Sequence, residues 1–208
     1  MVDNRTHKRS KVLKDVGEIR NLKEMLKNTK EKFGDENAFV FKTETPDVFR
    51  YITYNEYIDD INAFGTAMVN SGLKGKRIAI ISENRYEWML TYLAVTCGTG
   101  IVSPLDKSLQ KEELISSINR SEVEAIVYSK KYEDIMKEIN GNSDNKVRFF
   151  ISMDKEENES HDNMCSLKEF ISKGKKLIAG GNRSYLDCKI NNEEPAIMLF
   201  TSRNYCYV

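Results

Sequence analysis

Two hydroxyl residues, Thr201 and Ser202, stand directly after an apolar run, Ala196-Ile-Met-Leu-Phe200. A strand that delivers threonine and serine into a turn is how several phosphate-binding loops begin. Hydroxyls and free backbone N–H groups there can face phosphate oxygens. Such a loop also needs glycines, for close approach of the backbone, and a lysine for charge. The continuation, Arg203-Asn-Tyr-Cys-Tyr-Val208, has neither. Read alone, the segment opens an incomplete nucleotide site, with Thr201 and Ser202 as its candidate binding residues.

The remaining candidates point to structure more than to chemistry. Gly98-Thr-Gly100 lacks the third glycine of a dinucleotide loop and is followed by a strand pattern, so it reads as a tight helix-to-strand turn. Glu83, Arg85 and Glu87 flank an apolar helix pattern and fit an ion-pair cluster at its start as well as a ligand site. Asp106 follows Pro104 at the carboxyl end of a strand pattern, where open α/β sheets bind ligands. Capping the next helix is an equally good use of it. His7 and His161 are the only histidines, far apart and in polar stretches, which leaves little for a histidine metal site or a Ser-His-Asp triad. Asp154–Asp162 is acidic but lacks the glycine and ligand spacing of a calcium loop, so it reads as a solvated loop. No catalytic residue and no metal ligand is assigned.

The chain has 208 residues, 40% hydrophobic and 31% charged, which suits a globular protein with a core. Lys+Arg and Asp+Glu both number 32, so no overall field selects nucleic acid or an acidic membrane. There is no apolar run long enough to span a bilayer. Residues 1–17 are basic without the apolar centre of a secretory signal and are expected to form a flexible, solvated tail. The four cysteines form no C-x-x-C pair, and Cys97 lies among apolar neighbours as a small hydrophobe. Those features favour a cytoplasmic location.

These candidates need positioning elements. Ile19, Leu22, Met25, Leu26 and Phe33 recur at helical spacing, ended by Gly34. Ala38–Lys42 and Val48–Thr53 read as a hairpin. Thr53-Tyr-Asn-Glu56 matches a capping box and opens a helix with an apolar stripe from Tyr57 to Val69, closed by Gly72. From Lys76 short apolar runs alternate with helical patterns: strands over Ile78–Ile81, Ile101–Ser103, Glu124–Tyr128 and Val147–Ser152, helices over Arg85–Thr96, Lys111–Asn119 and Tyr132–Ile139. A further capping box, Ser166-Leu-Lys-Glu169, opens another helix, and Ala196–Phe200 is read as a final strand. This rhythm predicts an α/β fold, with an N-terminal helix and hairpin followed by a mostly parallel sheet with flanking helices.

Three segments carry a family resemblance. Ile80-Ile-Ser-Glu-Asn-Arg-Tyr-Glu-Trp88 resembles the I-x-S-E-N-R-x-E-W segment of long-chain fatty acyl-CoA synthetases of the AMP-forming, adenylate-forming superfamily. Pro104–Leu114 resembles the P-L-D/Y-x-x-L-x-x-x-E-L segment that follows it there. Glu194-Pro-Ala-Ile-Met-Leu-Phe-Thr-Ser202 is similar to the strand entering the family's T-S-G-T-T-G-x-x-K loop. The similarity covers about residues 18–202, in the family's order and spacing.

The resemblance implies a two-step reaction. A fatty carboxylate attacks the α-phosphate of ATP to give an acyl-adenylate, and coenzyme A then displaces AMP, with Mg²⁺ and loop donors stabilising phosphate charge. ATP, Mg²⁺, coenzyme A and a small-molecule fatty acid are thus the implied cofactors and partners. Thr201 and Ser202 are the residues it assigns to ATP phosphate binding. The glycines, second threonine and lysine that follow in the family are absent here. Residues 18–202 therefore read as an incomplete first subdomain of an AMP-binding domain, and 203–208 as an aberrant tail. Arg203-Asn-Tyr205, written AGG-AAC-TAC, yields Gly-Thr-Thr once its first base is removed, so one inserted base accounts for the break. On this reading the chain is a truncated ligase, inactive alone and marginally stable because the strand around Ile197–Phe200 loses its neighbours. The alternative is a short, non-catalytic nucleotide- or protein-binding α/β module.

Overall fold

The computed structural model describes residues 18–43, 45–142 and 145–200. The basic tail 1–17 and residues 201–208 lie outside them, as do the candidate residues Thr201 and Ser202.

Helix α1 spans Leu22–Phe33, with Asn21 accepting from the Glu24 N–H at its start. The hairpin follows as β1, Asn37–Lys42, paired antiparallel with β2, Phe49–Thr53. The capping box is present in full: Thr53 Oγ1 accepts from Glu56 N–H at 3.2 Å while Glu56 accepts from Thr53 N–H at 2.8 Å. It starts α2, Tyr54–Met68. That helix ends in a wide turn whose Gly72 takes φ 79°, a left-handed conformation that glycine adopts without a Cβ penalty.

The α/β part is a five-stranded, wholly parallel sheet. Its strands are β3 (Lys76–Ile81), β4 (Gly100–Pro104), β5 (Ala125–Tyr128), β6 (Phe149–Ser152) and β7 (Met164–Ser166), in the spatial order β4-β3-β5-β6-β7. Helices α3 (Tyr86–Ala94), α4 (Lys111–Ser121), α5 (Glu133–Asn140) and α6 (Leu167–Ala179) connect or follow the strands. Both faces of the sheet are covered, which is why its strands read as continuous apolar runs without alternation. Ile78 and Ile80 face a core shared with Leu90 and Leu93 of α3, Phe64 of α2 and Phe170 of α6. Ala79 and Ile81 face the other core, with Leu114 and Ile118 of α4 and Met136 of α5. Helices α2 and α6 make the closest approach in the first layer, where buried Gly174 lies directly on the main chain of Ala63.

The structure departs from the periodicity in three places. The helix expected over Arg85–Thr96 stops at Ala94, and Val95–Thr99 forms a wide turn around Gly98 at φ 145°. Strand β7 lies beside the acidic stretch and is too short to leave a pattern. Residues Ala196–Phe200 do not form a full strand. They run parallel to β4 through a single bridge, Val102 to Ile197, with hydrogen bonds from Val102 N–H to Ala196 O at 3.0 Å and from Met198 N–H to Val102 O at 2.9 Å. A run with one paired side and, among the described residues, no further strand beyond it has half the ladder that would define it.

Candidate nucleotide-binding edge

All five strands point the same way, so the residues that follow them collect at one edge. Helix α3 after β3 covers one face of the sheet, whereas α4 after β4 and α5 after β5 cover the other. The chain therefore switches sides on both flanks of β3, the arrangement that opens a crevice at the carboxyl end of a parallel sheet. Ser82–Arg85, Leu105–Asp106, Ser129–Lys130 and Asp154 surround that point.

Much of this crevice is stitched together by ion pairs. Arg85 Nε donates to Glu87 at 2.6 Å, and its other arm donates to Asp154 Oδ1 at 2.7 Å. The second oxygen of Asp154 accepts from Lys130 N–H at 2.7 Å. One carboxylate at the end of β6 thus ties the loops after β3 and β5 together. Burial works against the Arg85 charge, and the hydrogen bonds to Glu87 and Asp154 more than offset it, raising the guanidinium pKa. The Glu83 carboxylate is held below its usual value, first by its own backbone N–H. The Glu83, Arg85, Glu87 group thus resolves as an Arg85–Glu87 ion pair at the start of α3, completed by Asp154. Nothing in residue spacing signalled that partner, which lies 69 residues further on in an acidic loop.

Asp106 serves a turn. Its Oδ1 accepts from Ser108 Oγ at 2.7 Å and from Ser108 N–H at 2.8 Å, and these bonds lower its pKa. Gln110, not Asp106, stands at the start of α4. Gly98 and Gly100 form the helix-to-strand turn expected of them, on the opposite edge of the sheet from the crevice.

The strand-like run 196–200 brings its end, Phe200, to this carboxyl edge beside the end of β4. There the Arg120 guanidinium of α4 lies 5.4 Å from the centre of the Phe200 ring, a cation–π contact. Between Phe200 and α4 opens a cavity of about 620 Å³, floored by Leu105 and Leu109 and rimmed by Asp106, Glu113 and Arg120. Arg120 was not a sequence candidate, since an exposed arginine late in a helix carries no signal of its own. Among the described residues no group of three or more His, Cys, Asp or Glu side chains is placed to hold a metal ion. No helix among them is long and apolar enough to cross a membrane.

Comparison with known proteins agrees with this geometry. A sequence model of a family described as AMP-binding enzyme matches residues 26–202. The 4-hydroxybutyrate–CoA ligase 2 of Metallosphaera sedula is 23% identical over 163 residues, covering 77% of this chain and 29% of that protein. Coronafacic acid ligase from Pectobacterium brasiliense superposes with a TM-score of 0.70 at 20% identity, over 86% of this chain and 33% of that one. A long-chain-fatty-acid–CoA ligase from Archaeoglobus fulgidus superposes with a TM-score of 0.68 at 20% identity, over 88% of this chain and 34% of that one. The chain thus spans about a third of the length of these relatives.

Proposed function

The chain belongs to the AMP-binding enzyme family, whose CoA-ligase members it resembles in sequence and fold, and from that premise we propose that it is the opening part of an ATP-dependent acyl-CoA synthetase. The observation that carries the reading is the run 196–200, laid parallel to β4 and ending at the carboxyl edge, with Thr201 and Ser202 immediately after it. In this reading those two hydroxyls begin the cradle for the ATP phosphates. Fixed donors at such a position act on the charge that develops at phosphorus when a carboxylate attacks, and need no reorganisation during the step. A fatty acid is the proposed carboxylate and coenzyme A the proposed acceptor.

What this chain's described residues do is hold the frame. Asp154, Arg85 and Lys130 lock the loops at the switch point, and Arg120 steadies the approach to Thr201 through the Phe200 ring. The continuation Arg203-Asn-Tyr205 lacks the glycines and the lysine that would complete a phosphate cradle. By itself the 208-residue chain is therefore proposed to be inactive. Pyrophosphate exchange into ATP with fatty acids, together with calorimetric titration by ATP, tests this directly. The expected result is no exchange and no micromolar binding by this chain, with both appearing once Ser202 is followed by Gly-Thr-Thr-Gly and the rest of a ligase domain read from the shifted frame of the gene. Micromolar ATP binding by the chain as it stands would sink the incomplete-site reading in favour of a self-sufficient nucleotide module.

A further inference from the structure

Two of the cysteines share one place in the fold. Cys97 stands in the turn between α3 and β4, and Cys188 in the chain that follows α6. Lys23 of α1 holds that chain in position, its Nζ donating to Tyr185 O at 2.7 Å and to Cys188 O at 2.8 Å. Cys188 packs on Gly98, the residue directly after Cys97. Its Cβ and Sγ each lie 3.5 Å from the point where a Cβ on Gly98 would stand. A disulfide spans a Cβ–Cβ separation of about 3.5–4.5 Å, and Cys97 is one residue, about 3.8 Å of main chain, from that position. The turn can adjust there, because Gly98 has no Cβ to restrict it. Both cysteines line one cavity of about 710 Å³, walled by Leu26, Ile58 and Tyr185. Cys165, by contrast, lies on β7, at the opposite edge of the sheet from β4.

We propose that Cys97 and Cys188 are a redox pair, closed to a disulfide by peroxide and reopened by thiol reductants. Their exposures divide the roles: Cys188 is half-buried, whereas Cys97 is buried. Cys188, as thiolate, attacks one oxygen of the peroxide and the O–O bond breaks. The departing hydroxide takes up the proton that the thiol released, leaving Cys188 as a sulfenic acid and one water. The Cys97 sulfur then attacks the Cys188 sulfur and the S–O bond breaks. The second hydroxide leaves with the Cys97 proton as water. Two thiols lose two electrons, and one hydrogen peroxide gains them. Burial pushes the Cys97 thiol up to about 11, which suits this second, resolving role better than the first attack. The bond closes a loop of about 90 residues and ties the chain that leads to the run 196–200 to the turn that enters β4.

The test treats the folded 208-residue chain with a small excess of hydrogen peroxide, caps the remaining thiols in urea and maps the digest by mass spectrometry. A Cys97–Cys188 cross-linked peptide is expected, with Cys165 and Cys206 recovered capped. The urea midpoint of the oxidised chain should rise by about 1–2 M and return on adding dithiothreitol. Cys188→Ser changes a half-buried position and should keep the untreated midpoint while abolishing the rise. Cys97→Ala should leave Cys188 as a sulfenic acid that dimedone traps. Recovery of both cysteines as capped thiols overturns the proposal. So does a bridge from Cys188 to Cys165, to Cys206 or to a second chain, or a midpoint that still rises with peroxide in Cys188→Ser.

Discussion

Replacing Gly174 with alanine sets two well-understood effects against each other. In an isolated helix the change stabilises by about 1 kcal/mol, because glycine is the poorer helix former. In this structure the added methyl has nowhere to go. It would stand 2.9 Å from Ala63 Cα and closer still to that residue's carbonyl carbon and oxygen. Carbon atoms rest about 3.5–4.0 Å apart, so even the most distant of the three contacts is short by about 0.6–1 Å. The obstacle is the main chain of α2 in its middle, which cannot rotate aside as a flexible side chain would. Helix α6 must therefore lift off α2 at their closest approach. Overpacking of this kind costs about 3 kcal/mol at the upper end of its usual range. Subtracting the propensity gain leaves a net loss of about 2 kcal/mol. With a urea slope of about 2 kcal/mol/M the unfolding midpoint should fall by about 1 M. Ser172→Ala, on the same helix but not at the crossing, should leave the midpoint unchanged or raise it slightly. A Gly174→Ala midpoint at or above that of the parent chain refutes the packing argument and leaves propensity as the governing term.

Two further outcomes follow from the structure. Asp154→Ala leaves the Arg85 guanidinium and the Lys130 N–H short of an acceptor and should cost about 1–3 kcal/mol in urea unfolding; loss within 0.3 kcal/mol of zero would show that water replaces the tie. Burial raises the phenols of Tyr57, Tyr86, Tyr128 and Tyr185, and it pushes the Cys97 thiol up to about 11. Each of these acids stays neutral in the folded state at a pH where the unfolded chain would ionise it. Their contribution is complete below the unfolded values and is lost as pH rises through and above about 9–10. Stability should therefore fall steadily on the alkaline side, with phenolate absorbance at these sites appearing together with unfolding. Phenolate signal from all ten tyrosines at pH 10 in a still-folded chain would contradict the burial.

Local chemistry was the legible part of this sequence. The Thr53–Glu56 box, the Gly72 termination, the hairpin and the four apolar strands of the sheet each depend on residues within a few positions of one another, and each stands where its pattern placed it. What the pattern missed depended on distant partners. The end of α3 yields to the turn around Gly98 because the chain must enter β4 there, where Gly100 lies against the Lys76 main chain. Strand β7 exists only because β6 is beside it. The site divides the same way. The expectation for Thr201 and Ser202, which lie outside the described residues, rests on the apolar run before them and on resemblance, while the Arg85–Asp154 tie and the Arg120–Phe200 contact join residues that no short window contains.

The single bridge between Val102 and Ile197 joins positions about 95 residues apart, with β5, β6 and β7 between them in the chain. Closing so long a loop is entropically costly and yields only two main-chain hydrogen bonds in return. The order of assembly follows: β3 with β4, and β5 with β6 and β7, pair across single crossovers, so the run 196–200 is expected to dock after them and to leave first. The run 196–200 is thus expected to be less kinetically committed than the central strands of the sheet. In hydrogen exchange the Met198 amide should open at a far smaller free energy than those of β3. Whatever docks at the carboxyl end of β4 therefore meets a run that should be laid and lifted without unfolding the rest.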